Sequence, residues 1–412
     1  MPITVNVPGL VLTEHEFQIP LDHDRPDGER ITVFAREVAD PDGCDRPFLV
    51  FFQGGPGGEA PRPTGVPMSP SWLGRALRDY RVLMLDQRGV GRSTPVDMLP
   101  GRSADEQFEY LKHFRADSIV KDAEWIRAEL GVDRWSVLGQ SFGGFCVLTY
   151  LSHAPQSLRE ALFTGGVPPV GRPVDDVYRA TYRTMLERNR RYHLRYPGDR
   201  DRIRRIVELA DAGKITLPGG DVLTSRRFRQ LGNALGMSDG AERLHYLLER
   251  DPESEQFGYE TAAAAPFSGR SPIYYVLHEA CYADGQATRW SADRVRPAEF
   301  DADPTLLTGE HVFPWMFEDY SAFAPLREAG MRLAEHEWPR LYDENVLRDC
   351  AVPCAAAIYA EDAYVDREFS LETARLIPTM RPWLTNEYEH NGLRAGGDRV
   401  LDRLIALARG RA

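Results

Sequence analysis

Hydrophobic positions in the first part of the chain form short, nearly continuous apolar runs separated by polar and glycine-rich turns. Such runs predict strands, and a continuously apolar one, such as residues 81–86, is typical of a strand that a parallel sheet buries on both faces. The runs that predict strands lie at residues 31–38, 48–52, 81–86, 135–138 and 161–164. Helical spacing of apolar positions appears between these runs. The alternation indicates a mostly parallel sheet covered by helices.

Two helices can be placed in this region from their spacing and their ends. Residues 117–130 carry apolar side chains on one face, with Asp117 available to cap the first turn and Gly131 to end the last. A second helix is predicted from Ser141 to about Ser152, directly after a predicted strand. Each helix therefore follows or precedes a buried strand, as a β-α-β arrangement requires.

The strand pattern stops after a stretch rich in proline and glycine at residues 165–173 and returns near residue 345. The sequence between these points is largely helical, polar and rich in arginine. The elements predicted after residue 173 are helices at 175–195, 200–212 and 398–409 and strands at 352–359 and 383–388. We therefore predict an α/β core formed by residues 1–167 and 346–412, with a helical insertion at residues 168–345.

Composition narrows the possible functions. The 412 residues are 42% hydrophobic and 27% charged, which argues against a mostly disordered chain. The net charge of −12 argues against a general nucleic-acid or anionic-membrane binder. The amino-terminal sequence does not resemble a signal peptide, and no run approaches the ~18 apolar residues of a transmembrane helix. The five cysteines are odd in number and mostly widely spaced, so we expect reduced thiols, no zinc site and a cytoplasmic protein.

The segment at residues 139–143 (GQSFG) lies between a predicted strand and a predicted helix. It matches the pattern G-x-S-x-G, in which a sharp turn projects the serine hydroxyl above the sheet edge. Small neighbours are needed there because backbone segments approach closely, and the helix amino end favours developing negative charge. We therefore predict that Ser141 is a nucleophile. The alternative is chance occurrence of a short glycine and serine pattern.

A glycine-rich loop at residues 53–58 (QGGPGG) follows the predicted strand at 48–52. In acyl transfer, a backbone N–H from such a loop joins the N–H of the residue after the nucleophile to form an oxyanion hole. We predict Gly55 and Phe142 as the two donors, with Gly54 as an alternative to Gly55. An ordinary tight turn is the other interpretation. A phosphate-binding loop is disfavoured because no Gly-Lys-Ser/Thr follows.

A serine nucleophile needs a base, and after a G-x-S-x-G turn the acid and then the histidine come later in the chain. His390 is the one histidine after residue 340, and it follows the last predicted strand. The acid is expected after the preceding strand, where Asp362 lies, with Glu361 and Asp366 as competing carboxylates. We therefore predict Asp362 and His390 as the partners of Ser141.

Three motifs occur in order: G-G-P-G-G at residues 54–58, D-Q-R-G-V-G-R-S at residues 86–93 and G-Q-S-F-G-G at residues 139–144. By itself the second motif indicates a turn held by charge pairs, part of the scaffold. Together with the helical insertion and the later Asp and His, they resemble the proline iminopeptidases of the α/β-hydrolase superfamily. The resemblance implies an α/β-hydrolase fold with a large inserted helical cap. It also implies release of N-terminal proline from peptides without metal or organic cofactor.

The chain departs from the family's usual sequence at several positions. Gln53 stands where the family commonly has His, and Phe142 where many members have Trp. The sequence after Asp362 is Ala-Tyr-Val-Asp in place of an apolar residue, Cys and Pro, and the cap is longer than in compact members. These differences suggest a larger-cap subgroup.

The resemblance also implies cap glutamates that bind the amino end of the substrate through charge-assisted hydrogen bonds. Residues 309–313 (GEHVF) are similar to the family's segment and make Glu310 the candidate. Glu279, within residues 277–282 (LHEACY), is the best match for the second. The usual alternative is a solvated helix carboxylate. Aromatic residues that could wall a proline pocket, or belong to the core, are Tyr274, Tyr275, Phe313 and Trp315.

We interpret the sequence as a serine aminopeptidase acting on peptides with a free N-terminal proline. Two other classes remain open. An esterase or amidase acting on small acyl substrates would use the same three residues but has no need of paired cap glutamates. A non-catalytic binding module would have little reason to keep Ser141, Asp362 and His390 in order.

Overall fold

The computed structural model describes residues 2–412, whose strands form one sheet in the order β1-β2-β3-β5-β4-β6-β7-β8-β9. The pairs from β1 to β3, and β3 with β5, are antiparallel, whereas all pairs from β5 to β9 are parallel. The strands are β1 (Ile3–Val7), β2 (Leu10–Pro20), β3 (Arg30–Ala39), β4 (Phe48–Phe52), β5 (Arg81–Asp86), β6 (Trp135–Gln140), β7 (Leu158–Thr164), β8 (Cys354–Tyr359) and β9 (Met380–Thr385).

Helices cover both faces of this sheet, as the alternating pattern predicts. The α-helices outside residues 165–343 are α1 (Leu73–Asp79), α2 (Ala104–Leu111), α3 (Ala116–Glu129), α4 (Phe142–His153), α15 (Glu344–Arg348), α16 (Arg367–Leu376), α17 (Gly392–Gly396) and α18 (Asp398–Ala408). Helices α3 and α4 pack on one face, and α1 and α18 on the other. The central strand β4 is buried at every residue because it lies between these two layers.

Residues 165–343 contain helices and contribute no strand to the sheet. They are α5 (Val174–Arg195), α6 (Asp199–Asp211), α7 (Ser225–Arg229), α8 (Gly240–Leu248), α9 (Glu255–Ala264), α10 (Pro272–Val276), α11 (Ser291–Arg294), α12 (Glu299–Ala302), α13 (Met316–Asp319) and α14 (Arg327–Glu335). Short 3₁₀ segments lie at Pro155–Ser157, Gln230–Gly236, Glu279–Tyr282 and Ser321–Leu326. The domain boundaries at 167/168 and 345/346 stay predictions, and α15 crosses the second. No helix of residues 2–412 has both the length and the apolar character needed to cross a membrane.

Three local details differ from the sequence analysis. The apolar pattern predicts no strand before residue 31, whereas β1 and β2 form an antiparallel pair there. Strand β9 begins at Met380, earlier than predicted, because its side chains are mostly exposed and give little apolar signal. Asp117 lies in the first turn of α3 and pairs with Arg115 at 2.9 Å, so it does not cap the helix.

The strand order reverses beside β4, and this reversal fixes where a site can form. From β4 the chain goes to β5 on one side, and later to β6 on the other. The ends of β4 and β6 are therefore neighbours, with Phe52 opposite Gly139. In open α/β sheets the crevice at such a reversal, beyond the carboxyl ends of the strands, is the usual binding position.

Candidate active site

Ser141 lies on the sharp turn between β6 and α4. Its backbone has φ 54° and ψ −125°, a conformation that residues other than glycine rarely adopt. The backbone N–H of Ser141 donates to Thr164 O at 3.0 Å, which ties the turn to the end of β7. The turn therefore holds Ser141 in a strained but anchored conformation beyond the end of the sheet.

Glycine is required at two positions directly after this turn because the backbone makes close contacts there. A Cβ at Gly143 would lie 2.0 Å from Phe52 O, and a Cβ at Gly144 would lie 2.1 Å from Gly166 O. Both distances are far below van der Waals contact with backbone atoms that cannot move aside. The glycines of the GQSFGG segment therefore allow α4 to begin directly against β4 and the loop after β7.

The loop at residues 53–58 passes directly beside Ser141. A Cβ at Gly54 would lie 2.9 Å from the Cβ of Ser141. The Gly54 N–H donates to the Gln53 side chain at 3.0 Å, whereas within residues 2–412 the N–H groups of Gly55 and Phe142 have no acceptor. Of the two glycines considered from the sequence, Gly55 is therefore the one with a free donor.

His390 makes hydrogen bonds to the two other predicted residues. Its Nε2 lies 2.9 Å from Ser141 Oγ, and its Nδ1 lies 2.7 Å from Asp362 Oδ2. A carboxylate can only accept, so Nδ1 carries the proton and the lone pair of Nε2 faces the serine hydroxyl. The structure thus brings together three side chains that are far apart in the sequence.

Two competing carboxylates are occupied elsewhere. Asp362 accepts backbone N–H bonds from Tyr364 at 2.8 Å and Val365 at 3.0 Å through Oδ1, which leaves Oδ2 for His390. Asp366 caps α16 by accepting from the backbone of Glu368 at 2.9 Å. The Glu361 side chain pairs with Arg191 and lies 3.7 Å from Arg188.

The pKa of His390 is raised above its usual value. Burial lowers this pKa, but the charge and hydrogen bond of Asp362, with a further contribution from Glu310, outweigh the burial. A carboxylate that raises the basicity of an imidazole favours its role as a proton acceptor for the serine.

Arg188, on the cap helix α5, links the acid loop to the histidine loop. Its guanidinium donates to Glu389 Oε1 at 2.8 Å and also bonds Glu389 Oε2 and the backbone O of Glu361. Glu361 precedes Asp362, and Glu389 precedes His390. One arginine thus joins the two loops that carry Asp362 and His390. The sequence does not predict this contact because the partners are about 170–200 residues away.

Glu310 is largely but not fully buried, with its side chain 12% exposed. The Tyr274 hydroxyl donates to Oε1, and Oε2 lies 3.9 Å from Nε2 of His278. Burial raises the pKa of Glu310 to about 7, against lowering contributions from Tyr274 and His390. A half-paired buried carboxylate of this kind suits a cationic ligand.

Glu279 has a different environment from the one the sequence analysis assumed. Its oxygens accept backbone N–H bonds from Ser291 at 3.0 Å and Ala292 at 2.8 Å, at the start of α11. Burial raises the pKa of Glu279 to about 7, against lowering contributions from these same backbone bonds. The geometry therefore favours a cap-stabilising role for Glu279, and it supports only Glu310 as a candidate ligand for an amine.

Of the four aromatic residues named from the sequence, one contacts Glu310 and the other three contact other residues of the cap. Tyr274 contacts Glu310, whereas the Tyr275 hydroxyl donates to Phe313 O at 2.9 Å inside the cap core. Phe313 and Trp315 stack on each other. Tyr364 is a further aromatic neighbour that the sequence does not predict: its ring centroid lies 4.5 Å from that of His390.

The segment at residues 86–93 makes hydrogen bonds to the chain around the glycine-rich loop of the candidate site. Asp86 accepts from the backbone of Ala60 at 3.0 Å and Arg92 at 2.9 Å, and the Gln87 side chain donates to Gln53 O at 3.0 Å. Arg88 is paired with buried Asp122. The contact of Gln87 holds the start of the glycine-rich loop at residues 53–58, and that of Asp86 with Ala60 holds the chain just after it. Within residues 2–412, no three His, Cys, Asp or Glu side chains form a group that could hold a metal ion.

Comparison with known proteins shows what the chain is similar to. Residues 47–254 match the family described as alpha/beta hydrolase fold. A proline iminopeptidase of Aeromonas sobria is 45% identical over 99% of this chain and 99% of that protein. The proline iminopeptidase aneH of Aspergillus aculeatus is 33% identical over 97% and 94%. A thermophilic esterase of known structure from Thermogutta terrifontis is 12% identical, with TM-score 0.46 over 96% of this chain and 99% of that chain.

Proposed function

Because this chain belongs to the proline iminopeptidases of the alpha/beta hydrolase fold, we propose that it is a serine aminopeptidase that releases N-terminal proline from peptides. The observation that carries the proposal is the continuous hydrogen-bond chain from Asp362 through His390 to Ser141. The buried carboxylate of Glu310 supports the amino-terminal specificity.

In the proposed acylation step, Ser141 Oγ attacks the carbonyl carbon of the N-terminal residue while His390 Nε2 takes its proton. Asp362 keeps Nδ1 protonated and stabilises the imidazolium that forms. The free N–H groups of Gly55 and Phe142 bind the developing oxyanion. The imidazolium then protonates the leaving amine, the peptide bond breaks, and water, activated by His390, hydrolyses the acyl-enzyme.

Amino-terminal specificity requires a group that binds a free amine at a fixed distance from the nucleophile. Glu310 lies close enough to His390 for its charge to contribute to the pKa of that imidazole. In this proposal, the ammonium of the substrate pairs with Glu310, and the first carbonyl is the one that Ser141 attacks. A neutral pocket would instead impose the full desolvation cost of the cation.

A panel of small substrates tests this proposal. We expect turnover of prolyl anilide to exceed that of acetylprolyl anilide by at least about 10-fold, because acetylation removes the charge that Glu310 binds. Steady-state kcat/KM on both anilides and on a simple aryl ester measures this. Equal rates on the free and blocked anilides, with faster ester hydrolysis, would instead favour an esterase or amidase.

Arg188 offers a second test, directed at the alignment of the proposed catalytic residues. Arg188→Gln removes the link between the two loops, so we expect kcat on prolyl anilide to fall by roughly 10-fold to 100-fold, with a smaller change in KM. The matched control is Arg190→Gln on the same helix, which breaks only an exposed pair with Glu187 at 2.7 Å and should change kcat by less than about twofold. Equal kcat for both variants would contradict the positioning role.

A further inference from the structure

Tyr364, in the loop that carries Asp362, connects the candidate catalytic residues to the cap. Its backbone N–H donates to Asp362 Oδ1 at 2.8 Å, and its ring centroid lies 4.5 Å from that of His390. Its hydroxyl donates to the backbone O of Asn233, in the cap, and the whole side chain is buried. One residue thus contacts the predicted acid, the predicted base and the cap.

The cap also packs directly against Tyr364 and the histidine loop. A Cβ at Gly236 would lie 2.3 Å from Cε2 of the Tyr364 ring, so the cap backbone contacts that ring. The Gly236 carbonyl accepts the backbone N–H of His390 at 3.2 Å. Next to His390, Asn391 Oδ1 accepts from both the backbone N–H and the hydroxyl of Ser238 at 2.9 Å. The cap therefore holds the loop of His390 as well as the aromatic ring beside its imidazole.

Hydrogen bonds alone restrain the His390 ring incompletely. Its nitrogens bond Asp362 and Ser141, and the N–H and lone pair of an imidazole lie in the plane of the ring, so these bonds resist displacement out of that plane least. A side chain packed against the ring resists that displacement, because a protein interior is close-packed. A misplacement of about 1 Å at the reacting atoms can lower the rate by about 100-fold.

We propose that Tyr364 is a positioning residue, which holds the imidazole of His390 in place for proton transfer and ties its position to the cap. The inference rests on the proposed role of His390 as the base. The ring of Tyr364 restrains the imidazole, and the hydroxyl fixes that ring through Asn233. The geometry of the catalytic residues is therefore complete only when the cap is seated on the core.

Two substitutions at Tyr364 separate the ring from the hydroxyl. Tyr364→Leu removes both, so we expect kcat to fall by roughly 30-fold to 100-fold on prolyl anilide, and by a similar factor on an aryl ester, because both substrates need the base. KM on prolyl anilide should change by less than about threefold. Tyr364→Phe keeps the ring and loses only its bond to the cap, so it should restore most of the activity, with kcat about 3-fold to 10-fold below the original.

The matched control is Tyr275→Phe. This change also removes a buried hydroxyl that donates to a cap carbonyl, Phe313 O at 2.9 Å, but the Tyr275 ring packs on Phe317 and Phe323 in the cap core. It should lower Tm about as much as Tyr364→Phe does, because each variant loses one buried hydrogen bond, and it should leave kcat within about twofold of the original.

Three results would overturn the role of Tyr364. They are a folded Tyr364→Leu variant with kcat within about threefold of the original, a loss confined to KM, and equal kcat losses in Tyr364→Phe and Tyr275→Phe. If Tyr364→Leu does not fold, the comparison of the two phenylalanine variants decides. Equal turnover of prolyl and acetylprolyl anilides by the unaltered protein would overturn the proposed aminopeptidase function instead, and the kcat ratios on the aryl ester would still decide the role of Tyr364.

Discussion

Replacing Ser141 by alanine should lower kcat on prolyl anilide by at least about 10³-fold, and by as much as about 10⁶-fold. The change removes the oxygen that attacks the carbonyl, and the imidazole of His390 cannot replace it in the same geometry. The activity that remains would come from substrate binding and from the oxyanion donors alone. Steady-state kinetics measures the loss, and thermal unfolding of the same sample reports whether the fold is retained.

The matched control for this variant is Ser152→Ala on the same helix, α4. The Ser152 hydroxyl is buried and has no hydrogen-bond partner in residues 2–412, so its removal breaks no bond. We expect its kcat to stay within about twofold of the original protein. A Ser141→Ala variant with activity within about tenfold of the original would show that another group is the nucleophile.

Glu310→Gln should lower kcat/KM on prolyl anilide by roughly 10-fold to 10³-fold, the scale of a lost charge-assisted hydrogen bond or somewhat more in a buried site. The substitution keeps the shape of the side chain and removes the charge that would pair with the substrate ammonium. Hydrolysis of an aryl ester without an amine should fall far less, because that substrate makes no use of the carboxylate. Kinetics on the two substrates side by side measures the difference.

The pH dependence provides a second measurement on the same variant. Burial raises the pKa of Glu310 to about 7, so activity on prolyl anilide should decline as the pH falls below that value and the carboxylate becomes protonated. The raised pKa of His390 adds to this decline, since the base must be unprotonated. In Glu310→Gln only the contribution of His390 should remain.

The thermal stability of Glu310→Gln should rise at about pH 8, although its activity on prolyl anilide falls. The pKa of Glu310 is about 7 in the folded protein and 4.5 in the unfolded chain. Protonation of Glu310 therefore stabilises the fold fully below pH 4.5, and this stabilisation is lost as the pH rises through about 7. At about pH 8, Glu310→Gln should therefore have a higher Tm than the original protein.

The control variant is Glu279→Gln. It should change the ratio of prolyl to ester turnover by less than about threefold, because the Glu279 carboxylate accepts N–H bonds at the start of α11. Equal loss on both substrates together with a lower Tm in Glu310→Gln would mean that Glu310 supports the fold.

Local sequence was sufficient for the strand–turn–helix around Ser141. The turn depends on residues within a few positions of one another, and its glycines are needed for close backbone contacts that the pattern itself indicates. The order of the later strands predicts that Asp362 and His390 lie near Ser141, because the carboxyl ends of parallel strands meet at one edge of the sheet, and the three side chains do lie within hydrogen-bond distance. The mostly parallel sheet and the α/β-hydrolase fold were predicted correctly for this reason.

Contacts between distant segments decided the rest. Glu279 and Glu310 both interrupt apolar, aromatic sequence. Nothing beside them in the sequence distinguishes a carboxylate that accepts N–H bonds at a helix start from one with an oxygen that makes no hydrogen bond. Only packing brings the N–H groups of α11 to Glu279 and Tyr274 and His278 to Glu310. The link that Arg188 makes between the acid and histidine loops likewise exists only after the cap has folded onto the core. Side-chain direction depends on tertiary packing, so the sequence alone could identify the residues that carry charge but could not determine which of them face the site.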